Sequence, residues 1–92
     1  MKIQEVLATP DKWCKYDNAV TKLGCDVLPD SSQAVKWCLV GAAMKCYSGL
    51  ELTRVRNLIA TKILPFTYIT SYNDAAERTF EDIRRLIEEL DV

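Results

Sequence analysis

DSSQAVKWCLVGAAMKCY, residues 30–47, is the stretch on which the fold turns. From Ala34 to Tyr47 its only charges are Lys36 and Lys45. Ala34, Trp37, Cys38, Gly41 and Ala42 recur at helical spacing on one face, and Val35, Leu39, Ala43 and Cys46 fill a second. A helix that is apolar nearly all round is either buried or spans a membrane. The unbroken apolar run from Trp37 to Met44 is far short of the ~20 residues that a span requires. The segment therefore reads as a buried central helix over 31–47. Pro29 stops whatever precedes it. Asp30 or Ser31 can cap the helix, and Gln33 stands at a capping-box distance from Asp30. Gly41 inside a helix costs roughly 1 kcal/mol relative to alanine, which points to close approach of another backbone. Trp37 will need a partner for its indole N–H.

On the N-terminal side, residues 2–8 form a short amphipathic helix with Ile3, Val6 and Leu7 inward. Thr9-Pro10-Asp11-Lys12 stops it and can start a new turn, with Thr9 as cap and Pro10 at the first position. Trp13 follows as a lid over the core. Residues 18–28 admit two readings. At period two they form a small hairpin in which Gly24 supplies a positive φ. Alternatively Asn18 caps a two-turn helix that Gly24 ends. The hairpin is preferred, packed on the central helix because an isolated one is marginal.

On the C-terminal side, Ser48-Gly49-Leu50-Glu51 is a capping box for a helix over 49–64. Leu52, Val55, Leu58, Ile59 and Ile63 make its apolar face, and Arg54, Arg56 and Lys62 a solvated one. Pro65 ends it. Residues 66–72, FTYITSY, are β-branched and aromatic and read as extended. Asn73-Asp74 makes a turn. Thr79 caps the last helix, over 79–90, with Asp82 placed to return the bond. Phe80, Ile83, Leu86, Ile87 and Leu90 form its stripe. The expected fold is mainly α, a single small domain over 1–92 of about four helices, with those at 2–8, 49–64 and 79–90 around the central one.

Composition narrows the function classes. The chain has 92 residues, 49% hydrophobic and 27% charged, with a net charge of −1. No basic excess exists to release counterions, so bulk nucleic-acid binding is not expected. The first eight residues lack a secretory pattern, so a cytoplasmic protein off the membrane is expected. The four cysteines, Cys14, Cys25, Cys38 and Cys46, contain no C-x-x-C pair, and there is no histidine. They are expected to be reduced apolar fillers that bind no metal. Only Cys14 and Cys25 are placed to form a disulfide.

Two clusters carry a resemblance. The first is Trp13-Cys14-Lys15 with Ala19, Gly24, Val27 and Pro29, then Trp37-Cys38-Leu39-Val40-Gly41-Ala42. The second is Tyr72-Asn73-Asp74 with Arg78-Thr79 ahead of an amphipathic helix. Together they resemble a family of small bacterial and phage proteins classed as a domain of unknown function, with W-C-x-x-G-A and N-D…R-T motifs. Asp11-Lys12 stand where that family has a glycine, and Tyr72 replaces a tryptophan. The resemblance implies a bacterial or phage origin and no activity, substrate or cofactor.

Asn73, Asp74, Arg78 and Thr79 are the polar cluster with mutually useful chemistry. They can bind a small anion or nucleotide, with Arg78 and the amides after Thr79 facing it. They can equally form a structural clasp, Asp74 pairing Arg78 around the cap and Asn73 tying the loop to the central helix. The clasp is the commoner arrangement. No phosphate loop, nucleophile elbow or metal-ligand spacing occurs. Cys14, beside Lys12 and Lys15, is the one nucleophile candidate. The default expectation is a non-catalytic protein-interaction or accessory module, binding a protein partner or a second copy through an aromatic surface of Phe66, Tyr68 and Tyr72.

Overall fold

A computed structural model describes all 92 residues. Five helices occur in chain order: α1 (Ile3–Val6), α2 (Leu39–Cys46), α3 (Gly49–Lys62), α4 (Ile69–Asp74) and α5 (Phe80–Leu90). A 3-10 turn spans Pro10–Lys12, and two short strands, β1 (Ala19–Val20) and β2 (Lys36–Trp37), pair antiparallel. The mainly α class and single small domain are as expected. The chain has one α helix more than the four expected, because residues 69–72 of the segment read as extended coil together with the expected Asn73-Asp74 turn into α4.

The central helix is shorter than the pattern suggested. Only Leu39–Cys46 is helical, and the expected portion over 31–38 is not. Lys36 and Trp37 are drawn into β2 by pairing with Val20 and Ala19. An apolar run of this kind suits a buried strand as well as a buried helix, so periodicity alone could not separate them. The cap is neither Asp30 nor Ser31. Cys38, in extended conformation, is the N-cap, and its Sγ accepts from Gly41 N at 3.3 Å. Residues 31–34 instead make turns, with Ser31 N–H donating to Leu28 O and Ala34 N–H to Ser31 O.

The extended reading of 18–28 holds, with a different main partner. Val20 faces Asp26 across a single antiparallel bridge, closed by a turn with Gly24 at φ +85°. The two-residue ladder itself joins β1 to β2. Beyond β2, Trp13 adds a parallel bridge to Trp37. Trp37 meets its need for an acceptor at Pro29 O, 2.8 Å away.

Gly41 has the close neighbour its position implied. A Cβ there would lie 1.7 Å from Asn18 O, inside the backbone just before β1. The same carbonyl accepts from Cys38 N at 3.2 Å. Helix α2 therefore sits directly against the strand segment, with Ala42 and Ala43 fully buried behind it. Helices α1, α3 and α4 pack on it with Ile3, Val55, Ile59 and Ile69, and Ile83, Leu86 and Ile87 of α5 complete the core against α1 and α3. Helix α5 carries the expected reciprocal cap: Asp82 N–H donates to Thr79 Oγ1, and Thr79 N–H to Asp82 Oδ2. At α3, Ser48 occupies the N-cap position without a side-chain bond, so the capping box read there does not form.

Candidate functional site

The polar cluster is built on the end of α4. Asn73 is the one buried polar residue of the core and is fully enclosed. A side-chain amide offers two donors and an acceptor oxygen with two lone pairs. Asn73 Oδ1 accepts from Trp13 Nε1 at 2.7 Å and from Leu39 N at 3.0 Å. Its Nδ2 donates to Cys14 O at 3.1 Å and to Asp74 Oδ1 at 2.8 Å. Trp13 Nε1 and Leu39 N can only donate, which fixes the amide orientation. All four bonds are made inward, and none is left to reach a ligand.

Four consecutive residues are stitched to this corner. Beside the two bonds from Trp13 and Cys14, Lys15 Nζ donates to Ala75 O at 2.7 Å, and Tyr16 N donates to Asp74 Oδ1 at 3.0 Å. Tyr16 has φ +79°, an uncommon left-handed conformation for a residue with a side chain. The Asp74 carboxylate holds it there. These bonds join positions about sixty apart in the chain, so no local pattern announced them.

Arg78 lies apart from Asp74, and the expected Asp74–Arg78 pair does not form. Asp74 accepts from Tyr16 N and Asn73 Nδ2 and joins no ion pair, while Arg78 finds its opposite charge at Asp82. Arg78 Nε donates to Tyr72 O at 2.9 Å, and its guanidinium lies 3.7 Å over the Tyr72 ring and 5.3 Å from the centre of Phe66. Nη1 reaches Asp82 Oδ2 at 3.7 Å. The side chain is only 13% exposed. Asp82 has its carboxyl held below the usual range, first by the Thr79 backbone N–H and also by the nearby Arg78 charge.

The aromatic trio divides. Phe66 and Tyr72 meet edge-on at 5.4 Å around Arg78 and are half-buried. Tyr68 is 67% exposed and stands outside that arrangement. The three do not make one surface.

Among the thiols, burial pushes Cys14 up to about 11 and also raises Cys38 and Cys46. Cys14 donates to Asp17 O and Cys38 to Asn18 Oδ1, each at 3.6 Å. Lys15, whose charge was to activate Cys14, spends its ammonium on Ala75 O. Cys14 and Cys25 are both free thiols.

Sequence reasoning missed the lobe over 21–35. Leu23 and Leu28 are 90% and 73% exposed there, and Val35 is exposed as well. A groove of about 510 Å³ is lined by Leu23, Cys25 and Val35 among others, and one of about 270 Å³ by Leu28, Pro29, Asp30 and Met44. The available signal was two leucines flanking Gly24 in a segment with too few apolar neighbours to bury both.

With the geometry in place, residues 2–90 match the model of a family described as a family of unknown function, DUF6197. The chain belongs to this family. No curated protein and no solved structure matches it. The family match spans both clusters that carried the resemblance. In this chain those residues have visible physical duties: Trp37 bonds Pro29, Cys38 caps α2, Gly41 admits Asn18, and Asn73 joins three segments. No helix is long and apolar enough to cross a membrane.

Proposed function

We propose that the chain is a non-catalytic protein-interaction module whose contact surface is the lobe over 21–35. One observation carries the reading: Leu23 and Leu28 stand outward on a segment whose backbone is tied down. Thr21 N–H donates to Cys25 O, Gly24 N–H to Thr21 O and Val27 N–H to Ala19 O. Apolar surface left in water costs about 25 cal/mol per Å². Apolar side chains held by an ordered backbone, each beside a groove, mark a contact site better than isolated exposed leucines do.

Catalysis has less support. The chain has no histidine to serve as a general base, and burial raises the Cys14, Cys38 and Cys46 thiols, which keeps these three protonated near neutral pH. The anion or nucleotide reading at Asn73, Asp74, Arg78 and Thr79 also has less support. Asn73 has no free bond, Arg78 is stacked under Tyr72, and the Asp82 N–H after Thr79 is taken by the cap. An accessory role in the cytoplasm of a bacterium, or in its phage, fits the resemblance of the motifs and the near-neutral charge.

A photo-crosslinking residue placed at position 23, 28 or 68 in the native host tests this. Discrete adducts to a protein are expected from 23 and 28 and not from 68. Adducts from 68 alone would move the surface to the aromatic segment and overturn the reading.

A further inference from the structure

We propose that the sheet edge at residues 25–28 accepts an extended segment of a protein partner as an added strand, with a basic side chain opposite Asp26. This rests on the interaction reading above and names the kind of partner it takes. Val20 and Asp26 face each other across an antiparallel bridge. The bonds framing it run from Thr21 N to Cys25 O at 2.9 Å and from Val27 N to Ala19 O at 3.1 Å. A pair framed in this way is the non-hydrogen-bonded kind, so the N–H and C=O of Asp26 point away from Val20. Neither of these groups, nor Leu28 N–H two residues on, has a partner in the chain. The opposite side of β1 is closed by β2, and Trp13 follows beyond it.

A short, charged edge can simply be solvated, and charge is a common way of blunting one. Two features here go further. Strand-addition sites combine main-chain pairing with pockets for alternate side chains, and the larger groove lies against Cys25 and Val35. In an added strand, the residues on either side of the one opposite Asp26 fall on the Cys25 face, which is the groove side. Apolar residues there would meet the Cys25 rim of that groove, which Leu23 also lines. The residue opposite Asp26 shares its face and meets a carboxylate that takes part in none of the chain's ion pairs. That charge complements a lysine or arginine. It also opposes a second copy paired symmetrically about Asp26, because two carboxylates would then meet.

The test is selection of a random peptide-display library on the full chain. Enriched sequences are expected to place apolar residues on both sides of a lysine or arginine. The best of them, synthesised, should bind Asp26→Pro at least tenfold more weakly, since proline removes an N–H that the fold does not use. Methylating the peptide amides that face the edge should cost as much. Asp26→Lys leaves the backbone intact and should turn the preference towards an acidic centre, which keeps the proposal testable should the proline variant misfold. Selected peptides that bind both variants like the parent, no enrichment, or self-association lost on changing Asp26 would each overturn it. If adducts from positions 23 and 28 persist in Asp26→Pro, the interaction reading stands and strand addition falls.

Discussion

The corner at the end of α4 and the lobe over 21–35 invert the usual assignment of polar and apolar groups. At the corner, Asn73 sits fully buried with every bond satisfied within the chain. In the lobe, Leu23 and Leu28 stand in water while the backbone edge at Asp26 is unpaired. The corner holds three distant segments together and leaves nothing for a ligand. The lobe contributes little to the core and leaves both apolar and hydrogen-bonding capacity open. Chemical interest in a sequence and spare capacity in a structure are thus different properties.

The contrast breaks most visibly at Asn73. Asn73→Ala leaves Trp13 Nε1, Leu39 N and Cys14 O without their partner, and each orphaned group costs about 1–3 kcal/mol. A loss on the order of 4 kcal/mol is expected, visible in thermal melts as an unfolded or barely folded chain. Gly41→Ala comes next. Its Cβ would meet the Asn18 carbonyl, which is backbone and cannot swing aside. Overpacking of this severity should cost about 3 kcal/mol, which is roughly 15 °C in melting temperature for a domain of this size.

At the start of α5 the effects are smaller. Arg78→Ala should cost roughly 2 kcal/mol through lost stacking on Tyr72 and a lost bond to its carbonyl. Thr79→Ala should cost about 1 kcal/mol as a lost cap. Urea titrations of the two variants measure both. Cys14 sharpens the corner by pH. Its thiol is held protonated by burial in the fold, so the folded state binds the proton more tightly than the unfolded one. That contribution is complete below the ordinary thiol value near 9 and is lost as pH rises towards 11. Unfolding free energy should fall across that window, and fall less in Cys14→Ala.

Much of the fold was legible where signals were local. Thr79, Asp82 and the stripe from Phe80 define α5 within a dozen residues. Gly41 announced a close backbone neighbour, though not that it would be Asn18. The hairpin segment around β1 was legible, but β2 was not, because two residues carry no period and Lys36-Trp37 pairs with residues seventeen or so earlier. That long-range pairing also shortened α2. Of the polar residues singled out, Asn73 bonds Leu39 at the start of α2, the tie to the central helix that the clasp reading expected. The partners of Asp74 and Arg78 were not legible, because Tyr16 comes from the other end of the chain and the Tyr72 ring was read as a strand residue.

Leu23→Ser and Leu28→Ser should change stability by less than about 0.5 kcal/mol, as for surface positions elsewhere. They therefore give the most direct test, set beside Thr79→Ala. The yield of crosslinked partner from position 35 in the native host is compared in the Leu23→Ser/Leu28→Ser and Thr79→Ala backgrounds, at a temperature where both are folded. The division of labour drawn above predicts that the adduct disappears in the leucine variant, which melts like the parent, and survives in Thr79→Ala, which melts lower. An adduct that persists without the leucines, or is lost with Thr79 while the chain remains folded, would contradict it.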